Sequence, residues 1–543
     1  MRRAAAFVTP VWVGGVFAIT IGVPFAVVAG TMVAAASTHD LSDAALTVSA
    51  WVSIGRTCVY TGGIALLAVL LALPVAMAVA RARPVWQLVL AAPMLLPSYL
   101  AYAAWSVARA PTTPTGRWIA AAPERGQEWL PLLASRGLAV WGLALWAWPL
   151  AALVIAMSVR ATSAQLDDPL RMDCTRALQR WRAHLAAARP GLFAAWGLVA
   201  LLMLGSAVPL HVARVETYAI RVWIVLDSHP TEPWRAWFGS WPLAVLAIGA
   251  GWLLSGRLAR AGAQMAELTD ASTPNAQVLR QSWPAWIARA GAAALPWMLS
   301  VLVPLGLFWW SMGDPRMLGV FLERAGSGVA TSLAVGAVVG GVAGATCIAV
   351  AQLGGTLRAT GRGRAVVRWL LAACLAWTLL PGVLTGSAVA GAMRLSIVPD
   401  AVGDSAFPMV VAHVSRCLFL PVMVGIWLAA GEARGIGDSR RLDGATGLIA
   451  WARTALRAAL GPSIAVGLAC MCLSVHEIES SLQVQSPGID HLAQRLLQWL
   501  HYERTTELSA AGVLLLGLGV VGSVLAVLLS RRPTKRTPGT SHR

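Results

Sequence analysis

Lysine is almost absent from this sequence of 543 residues, and the only one, Lys535, lies in a Thr-Lys-Arg stretch near the carboxyl end. A phosphate-binding loop of the form Gly-x4-Gly-Lys-Ser/Thr needs a lysine directly after a glycine. The chain therefore cannot hold such a loop, and it is not predicted to be an enzyme that hydrolyses ATP. Any ATP-driven activity needs the ATPase in a separate partner.

Charged residues of both signs are scarce. They make up 12% of the chain, against about 25% in soluble domains, while 57% of the residues are hydrophobic and the mean hydropathy is +0.67. Apolar runs of about 20 residues recur along the chain, which predicts an all-α polytopic membrane protein. The net charge of +18 comes from arginines in short loops, a pattern typical of topology signals and anionic lipid rather than of nucleic-acid binding.

Metal-ligand spacing is also missing. The seven cysteines lie mostly inside apolar runs, where a thiol usually packs as a small core residue. They are Cys58, Cys174, Cys347, Cys374, Cys417, Cys470 and Cys472. The sequence therefore predicts neither a metal site nor a cofactor.

The apolar runs predict twelve membrane spans, six in each half of the chain. The first six lie near 11–35, 58–80, 87–107, 137–159, 191–212 and 241–256, and the second six near 290–312, 328–352, 368–393, 409–430, 461–478 and 508–530. Residues 1–257 and 290–530 are then two repeats, 258–289 is a cytoplasmic linker and 531–543 is a cytoplasmic tail.

The distribution of basic residues predicts the orientation. The loops on the side of the two termini hold 28 of the 42 Lys and Arg residues, against 13 in the loops on the other side. Because basic loops stay inside, both termini are predicted in the cytoplasm, in an inner membrane.

Short motifs recur in the same order in both halves. Leu95–Leu100 (LLPSYL) resembles Leu379–Leu384 (LLPGVL), and Tyr218–Arg221 resembles Leu492–Arg495. The sequence therefore predicts two parallel six-helix repeats. Pro97 and Pro381 could break their helices within the membrane, either for movement or merely as packing irregularities.

An arginine-rich, amphipathic stretch separates the tenth and eleventh spans. Between Glu432 and Pro462, apolar residues recur at helical spacing around a Leu442-Asp443-Gly444-Ala445 turn. A related stretch, with Asp168 and Asp173-Cys174-Thr175, follows the fourth span. Each predicts a helix–turn–helix segment on the cytoplasmic face; the alternative is an ordinary basic loop.

These paired stretches resemble the EAA loops of permease subunits of binding-protein-dependent ABC importers. Asp438 stands at the position of the Glu, Ser439 and Arg440 replace the two Ala, and Asp443, Gly444 and Ala445 fit the turn. In the first copy Cys174 replaces the Gly, which predicts a less sharp turn. The resemblance extends to the fused two-domain iron(III), thiamine and phosphonate group.

The resemblance implies a type I ABC importer permease-like fold with one coupling loop in each half, at 160–190 and 432–460. It implies two cytoplasmic ATPase copies and a periplasmic solute-binding protein as partners. The solute favoured is iron(III), from Ser486–Asp490 and Leu500–Tyr502; thiamine or a phosphonate is the alternative. A gradient-driven secondary transporter with internal repeats is the rival class.

Ionisable residues at membrane depth are expensive and often functional. His413 and Arg416 lie one helical turn apart in the tenth span, where they either line the pathway or, for Arg416, bind carbonyl groups as a structural staple. His476, Glu477 and Glu479 close the eleventh span, either as an outer gate or as solvated residues beyond the bilayer.

Overall fold

The computed structural model describes residues 2–38, 46–79, 89–90, 92–111, 113–173, 177–271, 291–357, 361–432, 439–440, 442–443, 448–502 and 504–530. Within these ranges the regular structure is helical and no strand occurs. Eight described helices are long and apolar enough to cross a membrane, or ten if each of two bent pairs is one span. The predicted class, an all-α multi-pass membrane protein, is confirmed at this level.

The described helices are numbered here in chain order. They are α1 Arg2–Phe17, α2 Val23–Thr38, α3 Val48–Val79, α4 Ser98–Ser106, α5 Pro114–Ala120, α6 Trp129–Asp173, α7 Ala177–Leu204, α8 Val208–Val212, α9 Tyr218–Ser228, α10 Trp234–Gly239, α11 Trp241–Ala271, α12 Val303–Met312, α13 Met317–Leu357, α14 Gly361–Leu379, α15 Gly382–Met393, α16 Asp400–Gly403, α17 Phe407–Cys417, α18 Phe419–Gly431, α19 Leu448–Trp451, α20 Arg457–His476, α21 Leu492–His501 and α22 Thr505–Ser530.

Two of the twelve predicted spans are not among these candidates. The third, 87–107, is described only in short helical pieces, and the apolar part of the twelfth is the shorter helix Thr505–Val521. The fifth ends at Leu204 rather than near residue 212. Residues 205–207, which begin with Gly205, form the break before α8, whose second residue is Pro209. The count of twelve stays a prediction.

The helix α6 is 45 residues long. At 1.5 Å per residue it measures about 68 Å, while a bilayer with its headgroups is about 40–45 Å thick. The predicted span at 137–159 therefore continues, without a break, as a helix into the first predicted coupling segment as far as Asp173.

The chain divides into two compact units built from interleaved segments. The first contains Met1–Thr61, Leu201–Arg280 and Gly319–Arg504, and the second contains Gly62–Ala200, Gln281–Leu318 and Thr505–Arg543. Each unit thus draws on both predicted repeats.

In the first unit, α14 packs against α11 and α18 around an apolar core that includes Leu371, Cys374 and Ile426. Small residues permit close approach: a Cβ on Gly251 would lie 2.7 Å from the Ala372 carbonyl oxygen. Small residues at helix interfaces are the usual means of tight packing in a membrane, where lipid competes for apolar contact.

In the second unit, α6 packs against α4. A Cβ on Gly142 would lie 2.9 Å from the Ala101 carbonyl oxygen, so glycine sets the approach of the two backbones. Trp148 is fully buried, and its indole N–H donates to Ser300 Oγ at 2.7 Å. That bond satisfies the one polar group of a large apolar side chain.

Pro97 and Pro381 both end one helical segment and cap the next. Their backbone angles are nearly identical, at φ −52° and ψ 136° for Pro97 and φ −51° and ψ 136° for Pro381. Proline lacks the N–H that would continue a helix, so a break at this residue is expected. At Pro381 the helix bends by 108° between Gly363–Leu379 and Gly382–Met393.

Both predicted repeats also begin with a span that contains a π-helical turn followed by Val-Pro. These turns are Ala18–Gly22 and Met298–Leu302. In each, a buried hydroxyl donates to the carbonyl four residues earlier, Thr20 to Val16 at 2.7 Å and Ser300 to Pro296 at 2.6 Å. A polar side chain that bonds within its own helix is tolerated in an apolar environment.

Candidate functional site

Five ionisable side chains meet in the first unit, and we call them the buried polar cluster: His413, Arg416, Glu477, Glu479 and His491. His413 and His491 are fully buried and Glu479 is 7% exposed, while the side chains of Arg416 and Glu477 are 16% and 17% exposed. The cluster lies between α17, the break before α15 and the segment after α20. The structure therefore brings together four of the five residues predicted at the pathway.

Glu479 accepts three backbone hydrogen bonds. Oε1 receives the N–H groups of Ala207 at 2.6 Å and Val208 at 3.3 Å, and Oε2 receives that of Gly382 at 3.1 Å. Ala207 caps the start of α8, and Val208 and Gly382 are the first residues of α8 and α15, where helix N–H groups have no partner within the helix. One carboxylate thus joins a segment of the first predicted repeat to two of the second.

The environment of Glu479 opposes its ionisation. Burial and the nearby Glu477 raise the pKa of Glu479 from 4.5 to about 7, against the lowering effects of Arg416 and of the N–H groups of Ala207 and Val208. The side chain is therefore placed to gain or lose a proton near neutral pH.

Arg416 binds the carbonyl groups that the Pro381 break leaves without helical partners. Its Nη1 donates to the oxygens of Thr378 and Leu380, both at 2.6 Å, and its Nε lies 3.6 Å from Glu477 Oε2. These contacts are those of the structural staple that the sequence offered as the alternative for Arg416. A role of this residue in the pathway stays a prediction.

Both ring nitrogens of His413 form hydrogen bonds. Nδ1 lies 2.7 Å from Ser474 Oγ and Nε2 lies 2.7 Å from Ser481 Oγ, and Ser481 in turn donates to the Glu477 carbonyl. Full pairing removes much of the cost of burying an imidazole. His413 therefore ties α17 to α20 and to the segment that follows α20.

His491 faces His413 edge to face, with ring centroids 5.4 Å apart. Its Nδ1 accepts from the Ala493 N–H at 3.3 Å, whereas Nε2 is buried without a hydrogen-bond partner in the described part of the chain. Burial, then His413, lower the pKa of His491 to about 3, with Glu477 acting in the opposite direction. The ring is thus neutral at physiological pH.

His476 ends α20 and is half-buried. Its side chain makes no hydrogen bond or ion pair within the described part of the chain, but it interacts electrostatically with His491. Sequence reasoning missed His491, Ser474 and Ser481. A signal was present: Ser474, Glu477 and Ser481 recur at the spacing of one helix face, from the end of the eleventh predicted span into the loop after it. The partners Ala207 and Gly382 act through backbone N–H groups, which leave no signal in a sequence.

The predicted coupling residues are only partly described. Asp168 and Asp173 lie in the last turns of α6, and Asp443 is exposed in a turn where its N–H donates to the Ser439 carbonyl at 2.9 Å. Cys174, Asp438, Gly444 and Ala445 lie outside the described residues. Beside the turn, Arg440 forms an ion pair with Glu432 at 2.5 Å and donates to Thr454 Oγ1 at 2.7 Å.

No protein-family model, curated protein or solved structure matches this chain.

Corresponding positions of the two predicted repeats make corresponding bonds. The Leu96 carbonyl, before Pro97, accepts from the Trp146 indole at 2.7 Å, as the Leu380 carbonyl accepts from Arg416. The Tyr218 N–H donates to Thr57 Oγ1, and the Leu492 N–H donates to Ser332 Oγ, both at 2.8 Å. The likeness between the halves thus extends from motifs to local structure.

No group of three or more His, Cys, Asp or Glu side chains with the arrangement of a metal site occurs in the described ranges. The described cysteines are free thiols, of which Cys58 is exposed and Cys347, Cys374, Cys417 and Cys470 are buried.

Proposed function

We propose that this chain is the transmembrane permease subunit of a binding-protein-dependent ABC importer. Its fold would be that of a type I importer permease, with twelve spans in two parallel repeats in an inner membrane. A periplasmic binding protein delivers the solute, and two copies of a cytoplasmic ATPase bind the segments 160–190 and 432–460. The resemblance leaves iron(III), thiamine and a phosphonate as solutes, with iron(III) favoured.

The observation that carries this proposal is the repeated, capped helix break. Pro97 and Pro381 share backbone angles, and a side chain from the next predicted span satisfies the freed carbonyl at each break. In secondary transporters, interrupted segments at corresponding positions of two repeats point to the binding site, and the same pairing supports a transport pathway here. A fold of structural spans alone has no need of such breaks.

The length of α6 supports the coupling role. A helix of about 68 Å extends well beyond a bilayer, and its last fourteen residues belong to the first predicted coupling segment. A rigid helix can carry a displacement at the ATPase into the membrane, whereas a flexible loop would absorb it.

Glu479 is the proposed outer gate. Its carboxylate holds the start of α8, the start of α15 and its own segment together, so release of these three bonds would free the segments to separate. In the proposed cycle, ATP binding draws the cytoplasmic segments together and the outer bonds open. ATP hydrolysis resets them.

A gradient-driven secondary transporter is the second candidate. The observation that favours it is Glu479 itself, because a buried carboxyl with a pKa of about 7 can exchange a proton during transport. The cluster's ionisable side chains, however, all come from the second predicted repeat, while the first supplies only backbone N–H groups.

The test is purification of the tagged full chain in mild detergent from its own membranes, with measurement of ATP hydrolysis. We expect an ATPase that contains a phosphate-binding loop to copurify at two copies per chain, and activity to depend on it. A preparation without such an ATPase, whose uptake in vesicles collapses with a protonophore but survives ATP depletion, would instead establish the second candidate.

A further inference from the structure

A largely buried ion pair lies within the second predicted coupling segment, 432–460. Arg440 Nη2 is 2.5 Å from Glu432 Oε1, and the two side chains are only 14% and 13% exposed. The other terminal nitrogen of the guanidinium, Nη1, donates to Thr454 Oγ1 at 2.7 Å. We call Arg440 with these two partners the Arg440 brace, because one side chain joins the residue that follows α18 to the turn that precedes α20.

Glu432 occupies an unfavourable place for a carboxylate. It directly follows the last residue of α18, and the carboxyl end of a helix carries partial negative charge. Burial adds a desolvation cost, which the Arg440 guanidinium offsets only while the pair is intact. Since loss of either partner leaves a buried charge unpaired, this ion pair fixes the position of its two elements more firmly than an exposed pair would.

The second bond of Arg440 holds the other end of the segment. Thr454 lies in the π-helical turn Ala452–Leu456, and its hydroxyl also donates to the Ala450 carbonyl at 3.1 Å. The donors of an arginine lie in one rigid plane, so a single guanidinium fixes the directions of both of its bonds. The brace therefore sets the geometry between the first residue of the segment and the turn before α20.

Both ends that the brace joins continue into membrane helices. Trp451, one turn before Thr454, is 6% exposed and lies in one apolar cluster with Ala351 of α13 and Ala459 of α20. On the other side, Glu432 follows α18, and α18 follows α17 at a bend of 49°. The helix α17 carries His413 and Arg416, so the bent pair leads from the brace to the buried polar cluster.

We propose that Arg440 is a positioning residue for transport, whose bonds to Glu432 and Thr454 make the second coupling segment move as one body with α18 and α20. The inference rests on the proposed function, in which an ATPase binds this segment. It goes further by naming the side chain that passes the movement of the ATPase on to the membrane helices. Without the brace, the ATPase would still bind and hydrolyse ATP, but the segment would absorb the movement.

Spin labelling of the purified full chain in nanodiscs tests the brace without any ATPase. The label is attached to Asp443→Cys, an exposed position of the same segment, in a chain whose native cysteines are replaced. We expect Arg440→Gln to shorten the rotational correlation time of the label, and the exchanged pair Glu432→Arg with Arg440→Glu to restore it in part. Thr454→Val removes one bond and no charge, so it should act in the same direction but less. Arg257→Gln, at an exposed arginine of α11, is the matched control and should leave the label unchanged.

A second measurement follows the proposed gate in nanodiscs that hold the chain with its copurified ATPase. The reporter is Ser206→Cys, a half-buried position next to Ala207, whose N–H binds Glu479. With Arg440 present, ATP should raise the rate at which a maleimide modifies this cysteine. Arg440→Gln should lose the rise while ATP hydrolysis and copurification of the ATPase continue. A merely structural role of Arg440 would not separate gate opening from hydrolysis.

Three results would overturn the inference: an unchanged label at position 443 in Arg440→Gln, an ATP-dependent rise at position 206 that persists in this variant, or loss of hydrolysis together with gate opening. The last result would assign Arg440 to ATPase binding instead. Because the spin-label measurement needs no ATPase, a label freed by Arg440→Gln in a chain that copurifies with no ATPase would support the brace and refute the importer proposal alone.

Discussion

Glu479 combines burial, a neighbouring carboxylate and three N–H donors in one side chain. Because its pKa is raised from 4.5 to about 7, the folded protein binds a proton that the unfolded chain releases between these values. Its contribution to stability is therefore complete below about pH 4.5 and is lost as pH rises through about 7.

Glu479→Gln, a permanently uncharged variant, should remove this dependence. The free energy of unfolding of the variant relative to the wild type should rise by up to about 3 kcal/mol between pH 4.5 and 7, as the wild type loses its proton. Thermal unfolding of both proteins over this range measures the difference. Other titrating groups cancel in the comparison.

Glu477→Gln is the matched control, because it removes the charge that helps to raise the pKa of Glu479. Its own pH-dependent difference from the wild type should be smaller and confined to the upper part of this range, between the lowered pKa of Glu479 and about 7. A Glu479→Gln difference that stays constant from pH 4.5 to 7 would contradict the assigned pKa.

Gly444 and Cys174 occupy the same position in the two predicted coupling segments. A residue with a Cβ at a turn that needs positive φ costs about 1–2 kcal/mol, and Cys174 already carries a side chain. Gly444→Val should therefore lower transport and weaken ATPase copurification, while Cys174→Val should do either only mildly. Equal losses in the two variants would show that the second segment is not the dominant one.

The charged residues of the cluster could be found from sequence because charge stands out in an apolar span. His413, Arg416, Glu477 and Glu479 were predicted for this reason. The arrangement of these residues could not be predicted from the sequence. It depends on the backbone N–H groups of Ala207 and Gly382, and on the fold that brings these two distant segments to the Glu479 carboxylate.

At the scale of elements, the sequence predicted both helix breaks at their prolines. It did not predict the bend of 108° after α14 or the side chains that bind the freed carbonyl groups. A proline in the sequence shows directly that a backbone N–H is missing at that position. The group that satisfies the freed carbonyl comes from another span, Trp146 in one repeat and Arg416 in the other.

The corresponding roles of Trp146 and Arg416 predict that substitutions at the two positions destabilise the protein by different amounts. Trp146→Phe leaves the Leu96 carbonyl without its donor, which costs about 1–3 kcal/mol for a buried group. Arg416→Met removes the donor of two carbonyls and an ion partner of Glu477, so it should destabilise more. Thermal unfolding of the two variants in the same detergent gives the comparison.

The role of Arg416 can be separated from its structural contacts by transport assays. If Arg416 acts only as a staple, transport per folded molecule should be unchanged in Arg416→Met. A loss of transport that exceeds the loss of folded protein would assign it to the pathway, as one of the two sequence interpretations holds.

At the scale of the whole molecule, hydropathy predicted a helical multi-pass protein, because the length and composition of each span can be read from the sequence alone. It did not predict that each compact unit combines segments of both repeats, or that α6 continues to Asp173. Those features depend on contacts between distant segments and on helix continuation past the membrane, for which a hydropathy profile carries no information.

The most direct test of the importer proposal is site-specific cross-linking from Asp443, which is exposed in the second predicted coupling segment. In a chain whose native cysteines are replaced, Asp443→Cys should be labelled only from the cytoplasmic side and should cross-link to an ATPase in native membranes. Asp314→Cys, in a predicted outer loop, should be labelled only from outside and should not cross-link. Labelling of position 443 from outside, or no ATPase adduct there, would contradict the proposal.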